Sequence, residues 1–156
     1  MFNLDDTAVR GGTVCLSKAG LAIGSTTSKA KIAAPNGAGV DFAIDGVLYH
    51  KADTDDAVVL TTANNVADGY TAIVLVQLDS SGTVSVVQGT AVANAAVTAG
   101  TAVIRWPAPT VNKCPIGALK LKNASGSAFV GGTTALSAIT TTYIDLFAIP
   151  TAPLTS

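Results

Sequence analysis

The chain is 156 residues long; 49% of them are hydrophobic, 12% charged and 5% aromatic. That length suits one domain with its own core, and the charged share is about half that of a typical globular chain. With no Glu, few Lys or Arg and a formal net charge of −1, exposed helix faces lack their usual side chains. Helical bundles and coiled coils are therefore excluded, and so is disorder, which needs low hydrophobicity or high net charge.

Ala, Val, Thr and Gly dominate instead, and the β-branched members suit a pleated, half-buried surface. Residues 1–38 are rich in Gly, Ser, Thr and Ala. Short strands are expected at Leu21 and Ile23 and at Lys29, Lys31 and Ile32, before the turn Ala34-Pro35-Asn36-Gly37. This region reads as an extended N-terminal arm or edge segment. Residues 39–156 read as an antiparallel β domain, the two together forming a single domain.

From Val40 a period of two sets in. Val40, Phe42 and Ile44 alternate with Asp41, Ala43 and Asp45. Asp45-Gly46 supplies the residues of a two-residue type I′ hairpin loop. That loop sets Ile44 opposite Val47, Phe42 opposite Tyr49 and Asp41 opposite His50, with the acid–imidazole pair on the other face. Thr71 to Leu78 is apolar on both faces, as a central strand covered on both sides would be. Asp79-Ser80-Ser81-Gly82 turns the chain into a returning strand, Thr83 to Gln88.

Gly89 to Gly100 is nearly all small residues and reads as one short helix or a loose connection. A strand is expected over Thr101 to Trp106, stopped by Pro107 and Pro109. Pro115 to Lys122 alternates, turns at Asn123-Ala124-Ser125-Gly126 and continues through Ala128, Phe129 and Val130 to the break at Gly131-Gly132. A last strand is expected over Thr140 to Phe147. Strands with turns at such spacing indicate an all-β fold: an antiparallel β-sandwich or a jelly-roll or barrel-like domain.

Chemistry-bearing patterns are sparse. His50 is the only histidine; Asp41 would orient it, but no nucleophile is identifiable beside it, so the pair reads as structural. Asp53-Thr54-Asp55-Asp56 lacks the Gly and terminal Glu of a calcium loop and reads as solvated loop. Gly11-Gly12 and Gly131-Gly132 follow no phosphate-loop spacing. Asn123-Ala124-Ser125 matches a glycosylation sequon and reads as a turn. Cys15 and Cys114 have no metal-ligand spacing; two free, buried thiols is the favoured reading over a disulfide. No catalytic, cofactor or metal residue is expected. Lys29 with Lys31, and Lys120 with Lys122, are the densest cationic pairs, too little for a nucleic-acid partner. The longest apolar run, Ala72 to Val76, is too short to span a membrane, and Met1 to Asp6 lacks the character of an export signal. Trp106, Tyr49, Leu21 and Ile23 are the candidate interface residues, Trp106 being equally readable as a core anchor.

The segment Phe42-Ala43-Ile44-Asp45-Gly46-Val47-Leu48-Tyr49 resembles a strand–Asp-Gly–strand opening in small virion proteins of tailed bacteriophages. The resemblance continues in Asp79-Ser80-Ser81-Gly82-Thr83, Gln88-Gly89-Thr90, Pro115-Ile116-Gly117, Phe129 to Thr134 and Thr142-Tyr143-Ile144-Asp145. It covers about two thirds of the chain, through turn-and-strand patterns and not catalytic signatures. It implies a capsid decoration (cement) protein, or a related head-fibre or tail structural protein, made in the host cytoplasm and located on the virion. The implied partners are the major capsid protein and further copies of the chain, as a dimer or trimer. Low net charge fits a subunit covered by neighbours. A glycan-binding adhesin and a small hydrolase using His50 and Asp41 are the competing readings.

Overall fold

The computed structural model describes residues 12–147. In chain order its strands are β1 (Val14–Cys15), β2 (Leu21–Ile23), β3 (Lys29–Ile32), β4 (Val40–Ile44), β5 (Val47–Lys51), β6 (Thr54–Val59), β7 (Tyr70–Leu78), β8 (Val84–Gln88) and β9 (Val92–Ala93). A five-residue helix, α1 (Asn94–Thr98), precedes β10 (Cys114–Lys122), a 3₁₀ turn (Leu136–Ala138) and β11 (Thr140–Asp145). They form three antiparallel sheets. One is ordered β1-β4-β5 and one β2-β3-β6; the largest is ordered β11-β10-β7-β8, with β9 also pairing β7.

The β4–β5 hairpin has the expected register: Ile44 faces Val47, Phe42 faces Tyr49 and Asp41 faces His50. Asp45 and Gly46 have φ of 52° and 80°, the two left-handed residues a type I′ turn requires. The second hairpin closes with Leu78 opposite Val84. Its turn is held by the Asp79 carboxylate, whose Oδ1 accepts from the Ser81 hydroxyl and from the Ser81 and Thr83 amides. The Ser81 hydroxyl, foremost, holds that carboxyl below its ordinary range.

All three sheets contribute to one core. Ala30, Ile32 and Val58 come from the second sheet, Val40 and Phe42 from the first, and Val74, Val76, Leu119 and Leu121 from the largest. This is the all-β, sandwich-like arrangement that the alternating pattern calls for. Strand β7 is buried along Thr71–Leu78. Ala72, Val74, Val76 and Leu78 face the common core, while Ile73 and Leu75 join Ala118 of β10 in a second cluster on the other side, against Ile104 and Leu146.

The part of the N-terminal segment within the described residues takes the edge form. β1 pairs β4, and β3 lies between β2 and β6. Ala19, Leu21, Ala30 and Ile32 are core residues, so residues 12–38 are integral to the β domain and position 38 marks no structural boundary. The expectation for residues 1–11 lies outside the described residues.

Three further expectations are corrected. The strand expected over Thr101 to Trp106 does not form; residues 102–110 have no regular structure. Pro107 and Pro109 lack the amide hydrogens a ladder needs, and the segment crosses the outer face of the large sheet. The continuation at Ala128 to Val130 shrinks to one bridge, Phe129 with Val66. Asp53 to Asp56, expected as loop, runs into β6 from Thr54. Asp56 has φ of 53° near a register shift in the β3–β6 pairing, and this irregular backbone hides the strand from a period-two reading.

Candidate interaction surfaces

The outward face of the β4–β5 hairpin carries the acid–imidazole pair. His50 Nδ1 lies 2.7 Å from Asp41 Oδ1, with both side chains about half exposed at 51% and 52%. Beside the pair is an open groove of about 460 Å³ lined by Leu16, Asp41, Leu48, Tyr49 and His50. Among the described residues that line it there is no Ser, Thr or Cys, and the one side-chain hydroxyl is the Tyr49 phenol. Its chemistry is that of a half-apolar contact surface. Among the described residues β5 is the edge strand of its sheet, and Val47 and Leu48 are exposed. An edge that shows apolar side chains is suited to pairing with another chain.

A second surface is the irregular strap of residues 101–112 across the large sheet. Gln77 of β7 is buried, and its amide clasps the strap at Thr110 through two hydrogen bonds. Nε2 donates to Thr110 Oγ1 at 2.7 Å, and the Thr110 amide donates to Oε1 at 2.9 Å. The Lys113 ammonium donates to Ser85 Oγ at 2.7 Å just beyond. Ile104 packs inward, while Val103, Trp106 and Val111 face solvent, Trp106 at 49% exposure. Pinned backbone with outward apolar side chains makes the strap a presenting surface.

The four candidate interface residues separate. Trp106 is on the strap. Tyr49 lines the hairpin groove with its ring stacked on Phe42, centroids 5.6 Å apart. Leu21 and Ile23 turn inward: Leu21 is 7% exposed and Ile23 packs on the core. Both side chains therefore contribute to the packing of the core. Leu21 fits because β10 has glycine at 117, where an added Cβ would stand 2.4 Å from Leu21 Cδ1 and 2.7 Å from the Ile144 carbonyl. The Leu21 amide also donates to Asp145 Oδ1 at 3.1 Å. Sequence reasoning missed Leu48, whose signal was available: the predicted register puts it on the face of Asp41 and His50. It missed Val103 and Val111 because an irregular strap has no period to read.

Other polar groups are spent on turns. The Ser25 hydroxyl and amide hold the Asp55 carboxyl below its ordinary range, and Thr26 does the same for Asp56. Asn123 of the sequon is fully buried. Its Nδ2 donates to the Val66 and Ser127 carbonyls, and its Oδ1 accepts from Ser125, so the folded chain offers no free amide for glycosylation. Among the described residues no group of three or more His, Cys, Asp or Glu could hold a metal ion. No helix among them is long and apolar enough to cross a membrane. Cys15 and Cys114 are free and buried, and burial pushes their thiols up to about 11 and about 12.

Comparison of the chain with family models, curated proteins and solved structures finds no match.

Proposed function

We propose that this protein is a non-enzymatic structural component of a phage virion that decorates and stabilises the capsid by bridging neighbouring major capsid subunits. The observation that carries the reading is the placement of apolar side chains on two structurally pinned surfaces. Leu48 lies on a strand that is at the sheet edge among the described residues, and Val103, Trp106 and Val111 lie on a strap clasped by Gln77. The phage-like turn-and-strand segments supply the context. Many modest contacts repeated over a symmetric lattice add through multivalency, so no single deep site is required. A dimer or trimer on a local symmetry axis is the fitting unit.

Quantitative mass spectrometry of purified particles tests the reading. A copy number comparable to that of the major capsid protein is expected, and a handful of copies per particle would overturn decoration in favour of a tail position. Trp106, half exposed, also favours a second reading: a tail or head-fibre adhesin that stacks host-surface sugars on this ring. Glycan-array binding by the isolated protein, lost in Trp106→Ala, would select the adhesin.

A further inference from the structure

Cys15 and Cys114 are far apart in sequence, but β1 and β10 pack against each other within the common core. Cys15 stands opposite Phe42 of β4. Its sulfur donates to the Ser17 carbonyl at 3.0 Å and lies 4.0 Å from the Asp41 carbonyl. Cys114 opens β10 and is fully buried in the same core, its sulfur donating to the Pro115 carbonyl at 3.7 Å. β10 packs on both β1 and β4, so the two buried cysteines share one small region of the core. A groove of about 270 Å³, lined by Thr13, Val14, Cys15, Pro115, Leu146 and Phe147, opens at this place. It brings the surface up to Cys15 and to Pro115, the neighbour of Cys114, while both thiols stay buried in the resting fold.

We propose that Cys15 and Cys114 form a latent intramolecular disulfide, which a small oxidising disulfide entering this groove closes into a cross-link between β1 and β10. The step is two successive exchanges. The Cys15 thiol gives up its proton and attacks one sulfur of the oxidant, breaking its S–S bond and releasing one thiol. Cys114, deprotonated in turn, attacks the mixed disulfide at Cys15, forming the Cys15–Cys114 bond and releasing the second thiol. Two protein thiols are oxidised and one oxidant disulfide is reduced, with both protons carried away on the released thiols. Only the thiolate attacks. Burial keeps both cysteines protonated at neutral pH, so the pair is slow to close and stays reduced where reductant is abundant. Closure links the first strand to the start of the tenth, and long closed loops constrain the unfolded chain most. The inference rests on the core alone and is independent of the function proposed above.

The full chain, fully reduced, is incubated with hydroxyethyl disulfide at mildly alkaline pH, then denatured, alkylated with iodoacetamide and weighed intact. The expected product is lighter by two hydrogens, takes no alkyl group and yields one peptide pair joining Cys15 to Cys114. Its melting temperature rises by about 4 °C or more, and reductant reverses the rise. Cys15→Ser and Cys114→Ser are expected to show no rise and at most one mixed disulfide each. Two alkylated cysteines, two mixed disulfides or a link between molecules would overturn the proposal. So would a cross-linked product whose melting transition is lowered or lost, because that link would report pairing in the unfolded chain.

Discussion

The two faces of the large sheet are built from the same strands and buried by different means. On the inner face, Val74, Val76, Leu119 and Leu121 meet side chains from the other two sheets. The cover there is regular structure, and each residue is fixed by its strand register. On the outer face, Ile73, Leu75 and Ala118 meet Ile104 and Leu146, and a strap without regular structure completes the cover through the Gln77 clasp. Burial alone therefore does not demand a regular layer. It demands apolar atoms and partners for the buried polar groups, and one glutamine with two hydrogen bonds can hold a strap in place.

The contrast can be broken by mutation. Leu119→Ala should have the largest effect, about 3–5 kcal/mol in chemical denaturation, because sheets on both sides cannot settle into the space. The matched outer-face change, Ile73→Ala, should cost about 2 kcal/mol, since the strap can sink toward the gap. Equal losses at the two positions would show that the strap is as rigid a cover as the sheets. Gly117→Ala sharpens the inner face. Its new Cβ would meet Leu21 and the Ile144 carbonyl well inside contact distance, and overpacking of that kind costs about 1–3 kcal/mol. An unchanged denaturation midpoint would mean that β2 yields more easily than the packed core implies. Gln77→Leu is the gentlest of the set. It keeps side-chain bulk and removes both bonds to Thr110, which is already exposed to water, for a loss of about 1 kcal/mol. Its diagnostic readout is hydrogen exchange, expected to quicken across residues 101–112 while β7 and β10 stay protected.

The contrast also marks where the sequence is legible. The β4–β5 hairpin could be read residue by residue, because Asp45-Gly46 admits the left-handed turn and a two-residue loop leaves one register. β7 could be recognised as covered on both faces from its unbroken apolar run. The strap could not. Thr101 to Trp106 has strand-like composition, but its covering role comes from Gln77, which lies more than twenty residues earlier in the chain. β6 was hidden in a similar way, since Asp55 and Asp56 look solvated until Ser25 and Thr26 are brought up to their carboxylates.

Of the candidate surface, the chain showed the Asp41–His50 pair and the side chains of Tyr49 and Trp106. It could not show that Leu21 and Ile23 face inward: a three-residue strand has too few alternations to say which side is the core. By itself, then, the sequence determined the all-β class, the two hairpins and the absence of a recognisable catalytic motif, all of which depend on local turn chemistry and the two-residue period. Only the tertiary structure decided which apolar side chains stay outside, how the outer face is covered and that two distant thiols share one core. Those properties depend on contacts between residues remote in sequence, and no local pattern encodes such contacts.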